Sequence, residues 1–235
     1  MFFLEGEYCL AAGRRAVTSD GGRYRERAMI YEIRTYTLKP GMVAEYEKRF
    51  AEVIDVRTQY SPMYGMWHTE IGPLNQIVHI WAYDSLQQRA EVRAKAGKDA
   101  SGKWPPNTND LVATQESDIL TPIKGMHHQS GVQQLGGVYE LRMYTYAAGD
   151  IGRVAQTFAD AYAGRHEVYP VGGIWTSDLG NLNRLYQLFP YKDWAHRDEV
   201  RGQLREKGIW PPHGDARPVA QLVRHMIPAP FSPLR

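Results

Sequence analysis

Cysteine is nearly missing: Cys9 is the only one in 235 residues, so no disulfide can form within the chain and a cysteine-built zinc site is excluded. Long hydrophobic runs are missing too. No stretch approaches the roughly eighteen consecutive apolar residues of a membrane span, and Met1-Phe2-Phe3-Leu4 is followed at once by Glu5 and Glu7, which break a secretory core. The expectation is a cytoplasmic protein, neither secreted nor inserted in a membrane. There is no excess of one charge either, since 28 Lys and Arg stand against 26 Asp and Glu, and their mixing along the chain leaves no basic stripe for nucleic acid. A glycine-rich phosphate loop, a nucleophile elbow, a His-Glu-x-x-His pair and a thiol nucleophile are also absent, which sets aside covalent hydrolysis and nucleotide-driven mechanisms. No motif calls for a metal or a cofactor.

What is present is a repeat. Tyr31-Glu32-Ile33-Arg34-Thr35-Tyr36-Thr37 lies over Tyr139-Glu140-Leu141-Arg142-Met143-Tyr144-Thr145 at a shift of 108 residues, and self-similarity at a constant shift marks duplicated units. The shift carries Phe50 onto Phe158, Arg57 onto Arg165, Gly65 onto Gly173, Trp67 onto Trp175, and Arg89 onto Arg197. Trp104-Pro105-Pro106 and Trp210-Pro211-Pro212 align after a small slip. We divide the chain into an N-terminal extension without sustained periodicity (1–28), a first unit (29–124), a connector (125–137) and a second unit (138–235).

Each unit reads the same way. An alternating β-branched and aromatic run (30–38; 138–146) predicts a strand. Apolar residues at helical spacing follow Gly41 or Gly149, and the helix is expected to stop before Pro62 or Pro170. Two strands joined by Gly72-Pro73-Leu74-Asn75 or Gly180-Asn181-Leu182-Asn183 read as a hairpin. A second helix (85–98; 192–207), the Trp-Pro-Pro loop and a last strand (111–120; 219–227) complete a ferredoxin-like βαββαβ unit of the α+β class. Such a sheet has helices on one face only, and two tandem units can supply the partner that the other face needs. An edge strand left over for further pairing favours a homodimer.

The Tyr-Glu-Ile-Arg-Thr-Tyr start, the Gly65-Met66-Trp67 strand and the closing Ile227-Pro228-Ala229-Pro230-Phe231-Ser232-Pro233-Leu234 resemble the NIPSNAP family. The resemblance covers nearly everything after Met29 and implies a fold of the dimeric α/β-barrel type. It lends little chemistry. Animal members, linked to mitochondria and vesicle traffic, imply an interaction or scaffold role, whereas relatives by fold include cofactor-independent monooxygenases of phenolic substrates.

Alternation along the first strand separates Tyr31, Ile33 and Thr35 from Glu32, Arg34 and Tyr36. With helices on the Ile33 and Leu141 side, the Glu-Arg-Tyr side would point between the sheets and line a barrel cavity. Two readings follow. Glu32 and Arg34, like Glu140 and Arg142, pair off as a neutral structural ladder; or Arg34 or Arg142 presents a cationic fork to a carboxylate or enolate beside Tyr36 or Tyr144. On the next strand His68 and Glu70 share a face, with His79 on the neighbouring strand, and either histidine is a candidate general base. The alternative is two histidines bonded to their neighbours. Trp67 and Trp175 complete the candidate lining, although tryptophans repeated at equivalent places also fit a core. The expected occupant is a small apolar or aromatic molecule, and the competing expectation is a filled structural barrel with a scaffold function.

Overall fold

The computed structural model describes residues 29–235; the stretch 1–28, expected to be an unstructured extension, lies outside the described residues. The first unit runs β1 (Ile30–Leu38), α1 (Val43–Ala51), α2 (Ile54–Thr58), β2 (Met63–Ile71), β3 (Gln76–Tyr83), α3 (Leu86–Ala96) and β4 (Val112–Pro122). The second runs β5 (Val138–Thr145), α4 (Ile151–Val168), β6 (Gly173–Leu179), β7 (Arg184–Tyr191), α5 (Trp194–Glu206) and β8 (Ala220–Pro228).

Local chemistry explains the boundaries. Asn75 and Asn183 both adopt φ +56° in the hairpin turns, a left-handed conformation that Asn tolerates. The side chains of Ser85 and Asp193 accept from the backbone N–H of Gln88 and His196 and cap α3 and α5. The single helix expected after Gly41 is instead two, broken at Glu52 and Val53. The segment carries Val53, Ile54 and Val56, where the uninterrupted α4 has Ala161, Tyr162 and Gly164, and β-branched side chains lose rotamer freedom against the preceding helical turn.

The eight strands close one antiparallel barrel in the order β1-β3-β2-β8-β5-β7-β6-β4. Each unit contributes four neighbouring strands, and the seams are reciprocal: β8 pairs with β2, and β4 pairs with β6. Closure occurs within one chain, so each of the eight strands has two partners and, among the described residues, the sheet leaves no free edge of the kind behind the homodimer expectation.

Three cores result. One fills the barrel with residues of both units, including Tyr31, Ile33, Trp67, Tyr139, Leu141 and Trp175. Tyr31 packs against Trp175 at 5.3 Å and Tyr139 against Trp67 at 5.3 Å, so each unit's tyrosine meets the other unit's tryptophan. The other two cores lie between the sheet and the helices of each unit.

This reverses the expected faces. Ile33 and Leu141 point into the barrel, whereas the Glu32-Arg34-Tyr36 and Glu140-Arg142-Tyr144 faces lie under the helices. The barrel interior is enclosed, and an unpaired charge there would carry a large desolvation cost. The helices carry the arginines that neutralise the glutamates. Trp67 and Trp175 are accordingly core residues at 0% exposure.

Candidate functional site

The ladder found in the sequence anchors a cleft in each unit, outside the barrel and beneath the helices. Glu32 is fully buried and accepts from Arg34 Nη1 and Arg89 Nη2, each at 2.6 Å, and from Ser117 Oγ at 2.9 Å. Burial alone would raise its pKa, but the hydrogen bond from Arg89 and the charge of Arg34 outweigh it and hold the carboxyl at about 2. Arg34 Nε also donates to Tyr36 Oη at 2.6 Å. The second unit repeats the arrangement: Arg142 bonds Glu140 and donates to Tyr144 at 2.6 Å, and Arg197 reaches Glu140 at 2.5 Å. The structural pairing of the ladder is therefore real, and it leaves both arginines fixed at a cleft wall.

In the first unit the cleft measures about 540 Å³ and is walled by Arg34, Tyr36, Tyr46, Phe50, His79 and Trp81, with Trp104 on its loop. Deeper in, Arg57 donates to Ser61 Oγ at 2.8 Å and Tyr83 Oη at 2.9 Å and stacks over the Trp81 ring at 4.3 Å. Arg93 from α3 adds a further cation. Glu32 pairs with Arg34, Arg89 and Arg93, and Arg34, Arg57 and Arg93 share the cleft wall with the aromatic rings.

His79 stands directly opposite Arg34 across the β1–β3 ladder. Its Nδ1 accepts from Trp81 Nε1 at 2.7 Å, which places the ring proton on Nε2. That Nε2 is buried and has no partner among the described residues. Burial first, and then the charge of Arg34, lower the His79 pKa to about 3. With Nδ1 accepting from Trp81, the free edge of the ring carries an N–H rather than the basic nitrogen expected for a general base. The second unit has Gln187 at this place, opposite Arg142, and its buried Nε2 likewise lacks a partner. Two different side chains thus present an unused N–H beside an arginine at equivalent positions.

The remaining candidates lie elsewhere. His68 bonds Glu47 Oε1 at 2.8 Å through Nδ1, and this hydrogen bond raises its pKa against the opposing effect of burial. It is not part of the cleft wall, and Glu70 is exposed near the end of β2. Trp67 and Trp175 face the barrel interior, each with a buried indole N–H. Trp81 and Trp104, which the sequence offers as either lining or core, do line the cleft, whereas the contributions of Arg57 and Arg93 are not apparent from the sequence. Part of the signal is in the repeat, because Arg57 and Arg165 recur at the same shift.

In the second unit an inner lobe of about 110 Å³ holds Arg142, Gln187 and Arg201 against Trp210, and Tyr144, Phe158 and Pro211 are shared with an outer lobe of about 670 Å³. No helix among the described residues is long and apolar enough to cross a membrane.

The NIPSNAP family model matches residues 31–125 and again 139–233. NipSnap homolog 3A of Homo sapiens is 29% identical over 229 residues, covering 88% of this chain and 86% of that protein. The NipSnap homolog of Dictyostelium discoideum is 25% identical over 189 residues, covering 78% of this chain and 79% of that protein. Among solved structures, a putative monooxygenase from Lactobacillus acidophilus NCFM superposes with a TM-score of 0.60 over 86% of this chain and 94% of its own, at 13% identity, which shows a shared fold. Matched twice, over most of its length, the chain belongs to the NIPSNAP family.

Proposed function

We propose that this protein binds a small, largely aromatic or apolar molecule bearing an anionic oxygen, such as a carboxylate, phenolate or enolate, in the cleft of each unit. The observation that carries this reading is the cross-strand pair of Arg34 with His79, whose buried Nε2–H has no acceptor among the described residues. A buried donor without a partner costs free energy in the empty protein, and an oxyanion held between it and the guanidinium recovers that cost. The rings of Tyr36, Phe50 and Trp81 supply an apolar wall for the rest of the molecule.

The chemistry that such a site adds is stabilisation of negative charge on a bound oxygen. A phenol or enol held there becomes more acidic, and its anion is the electron-rich form on which a cofactor-independent oxygenase would act. Arg34 and His79 stabilise that anion in this reading, and Tyr36 orients Arg34; no base is required from His68. A single chain builds each site completely, so a second copy is not needed for binding. The single cysteine leads us to infer a reducing, cytoplasmic setting.

A scaffold role is the second reading, and two observations favour it: the barrel interior is filled, and Glu32 and Arg34 are ion-paired. It does not account for the open clefts or for the unpartnered donors in both. Native mass spectrometry of the protein purified without denaturation separates the two. A reproducible adduct of an aromatic or apolar acid, displaced by added benzoate, supports binding. A bare mass in repeated preparations, with no response to benzoate, favours the scaffold.

A further inference from the structure

The two clefts differ where α1 and α4 pass over them. In the first unit Tyr46 is buried, stacks on Phe50 at 5.9 Å and meets Tyr36 edge-on at 6.3 Å. Its side chain is hydrogen-bonded to that of Thr108 on the Trp-Pro-Pro loop. One turn along, Arg49 ties α1 to the same loop, donating to Asn107 O at 2.9 Å and Asp110 Oδ1 at 2.8 Å. Tyr46 forms the side wall of the cleft. On the outer side of that ring, Arg49 with Lys48, Glu52 and Asp110 lines a separate surface depression of about 820 Å³.

At the equivalent places the second unit has Val154 and Thr157. Its loop is also longer, with the seven residues 213–219 between Pro212 and β8 where the first unit has the five residues 107–111 between Pro106 and β4. The ring and the ion-paired strap are both gone. The depression at the equivalent helix positions is here an outer lobe of about 670 Å³, bounded by Val154, Thr157, Tyr146 and Pro218, and it shares Tyr144, Phe158 and Pro211 with the inner lobe.

We propose that the two clefts select ligands of different length, a compact acid in the first unit and an elongated one in the second, and that Tyr46 against Val154 sets the difference. This rests on the binding function proposed above. The oxyanion sits at Arg142 and Gln187 in the narrow inner lobe, and the apolar tail runs past Val154 into the outer lobe. In the first unit the same tail would meet the Tyr46 ring.

The test uses the full chain labelled with 5-fluorotryptophan and followed by fluorine NMR, with Trp104 and Trp210 as separate reporters assigned through Trp104→Phe and Trp210→Phe. The probes are benzoate and biphenyl-4-carboxylate. Benzoate is expected to move both signals. The longer acid is expected to move Trp210 at roughly tenfold lower concentration than Trp104, because a further buried ring adds apolar area only where there is room for it. Val154→Tyr should remove the advantage at Trp210 while the benzoate response reports that the cleft is intact; Tyr46→Val should create one at Trp104. Equal response of the two reporters to the longer acid, or no effect of either exchange, overturns the length selection alone. If neither probe moves either signal, the proposed binding function falls and this inference falls with it.

Discussion

Arg34 and His79 face each other across β1 and β3, and the second unit sets Arg142 opposite Gln187 in the same register. Histidine and glutamine differ in every acid–base property, yet both present an N–H with no acceptor among the described residues. What the two clefts share is therefore hydrogen-bond donation beside a guanidinium.

This makes His79→Gln an informative exchange. It should leave benzoate affinity at the first cleft within about threefold, whereas His79→Leu should weaken it by roughly tenfold, the worth of one hydrogen bond to a charged group. Isothermal titration of both variants decides the matter, and equal affinity for Gln and Leu would remove the donor role.

Stability should depend on acid in a defined window. Glu32 has its folded-state pKa depressed from the ordinary 4.5 to about 2, so its contribution is complete above 4.5 and is lost as pH falls from there toward 2. Denaturation by urea across this range should show falling stability in the native sequence. Glu32→Gln should be less stable at neutral pH, by about 3 kcal/mol because Arg34 and Arg89 lose their partner, and should show a shallower acid slope. Glu140 is also depressed, burial being outweighed by Arg142 and Arg197, so the variant carrying Gln at both positions should be flatter still. An unchanged slope in Glu32→Gln would show that the ladder does not govern acid stability.

The barrel interior should behave as core. A Cβ on Gly65 would overlap the Trp67 ring, and one on Gly173 would overlap that of Trp175. Gly65→Ala should lower stability by about 1–3 kcal/mol through displacement of a ring in a filled interior, and leave benzoate binding in the clefts unchanged. Loss of binding without loss of stability would return Trp67 to the site.

Separating the units should expose what closure hides. The isolated segment 29–124 would have β2 and β4 as bare edges and the Tyr31, Ile33 and Trp67 face uncovered. We expect it to pair with a second copy of itself, the β2 of each copy against the β4 of the other, giving twice the monomer mass in light scattering. A stable monomer would show that the seams contribute little.

The repeat made the fold legible: the residues 31–37 over 139–145 fixed the unit, and the turn asparagines 75 and 183 fixed the hairpins. The orientation of the sheet faces was not legible, because Tyr31-Ile33 and Glu32-Arg34-Tyr36 alternate with equal clarity and period alone does not say which side meets helices. The deciding fact is the position of Arg89, Arg93, Arg197 and Arg201 on α3 and α5, which sets the glutamates under the helices. Nor was the tautomer of His79 legible, since it depends on Trp81, two residues along the same strand face, turning its N–H toward the imidazole. Arg34, Tyr36 and His79 were found as candidates from the sequence and do share one cleft; His68 was singled out for its proximity in sequence pattern and is held instead by Glu47.

The central claim is that these clefts stabilise an oxyanion, and the most direct measurement is the visible titration of 4-nitrophenol with the protein in excess. The bound phenol should ionise at lower pH than the free one, so that phenolate absorbance appears earlier in the titration. Ionisation at the same or a higher pH while bound would contradict it, as would an absence of binding.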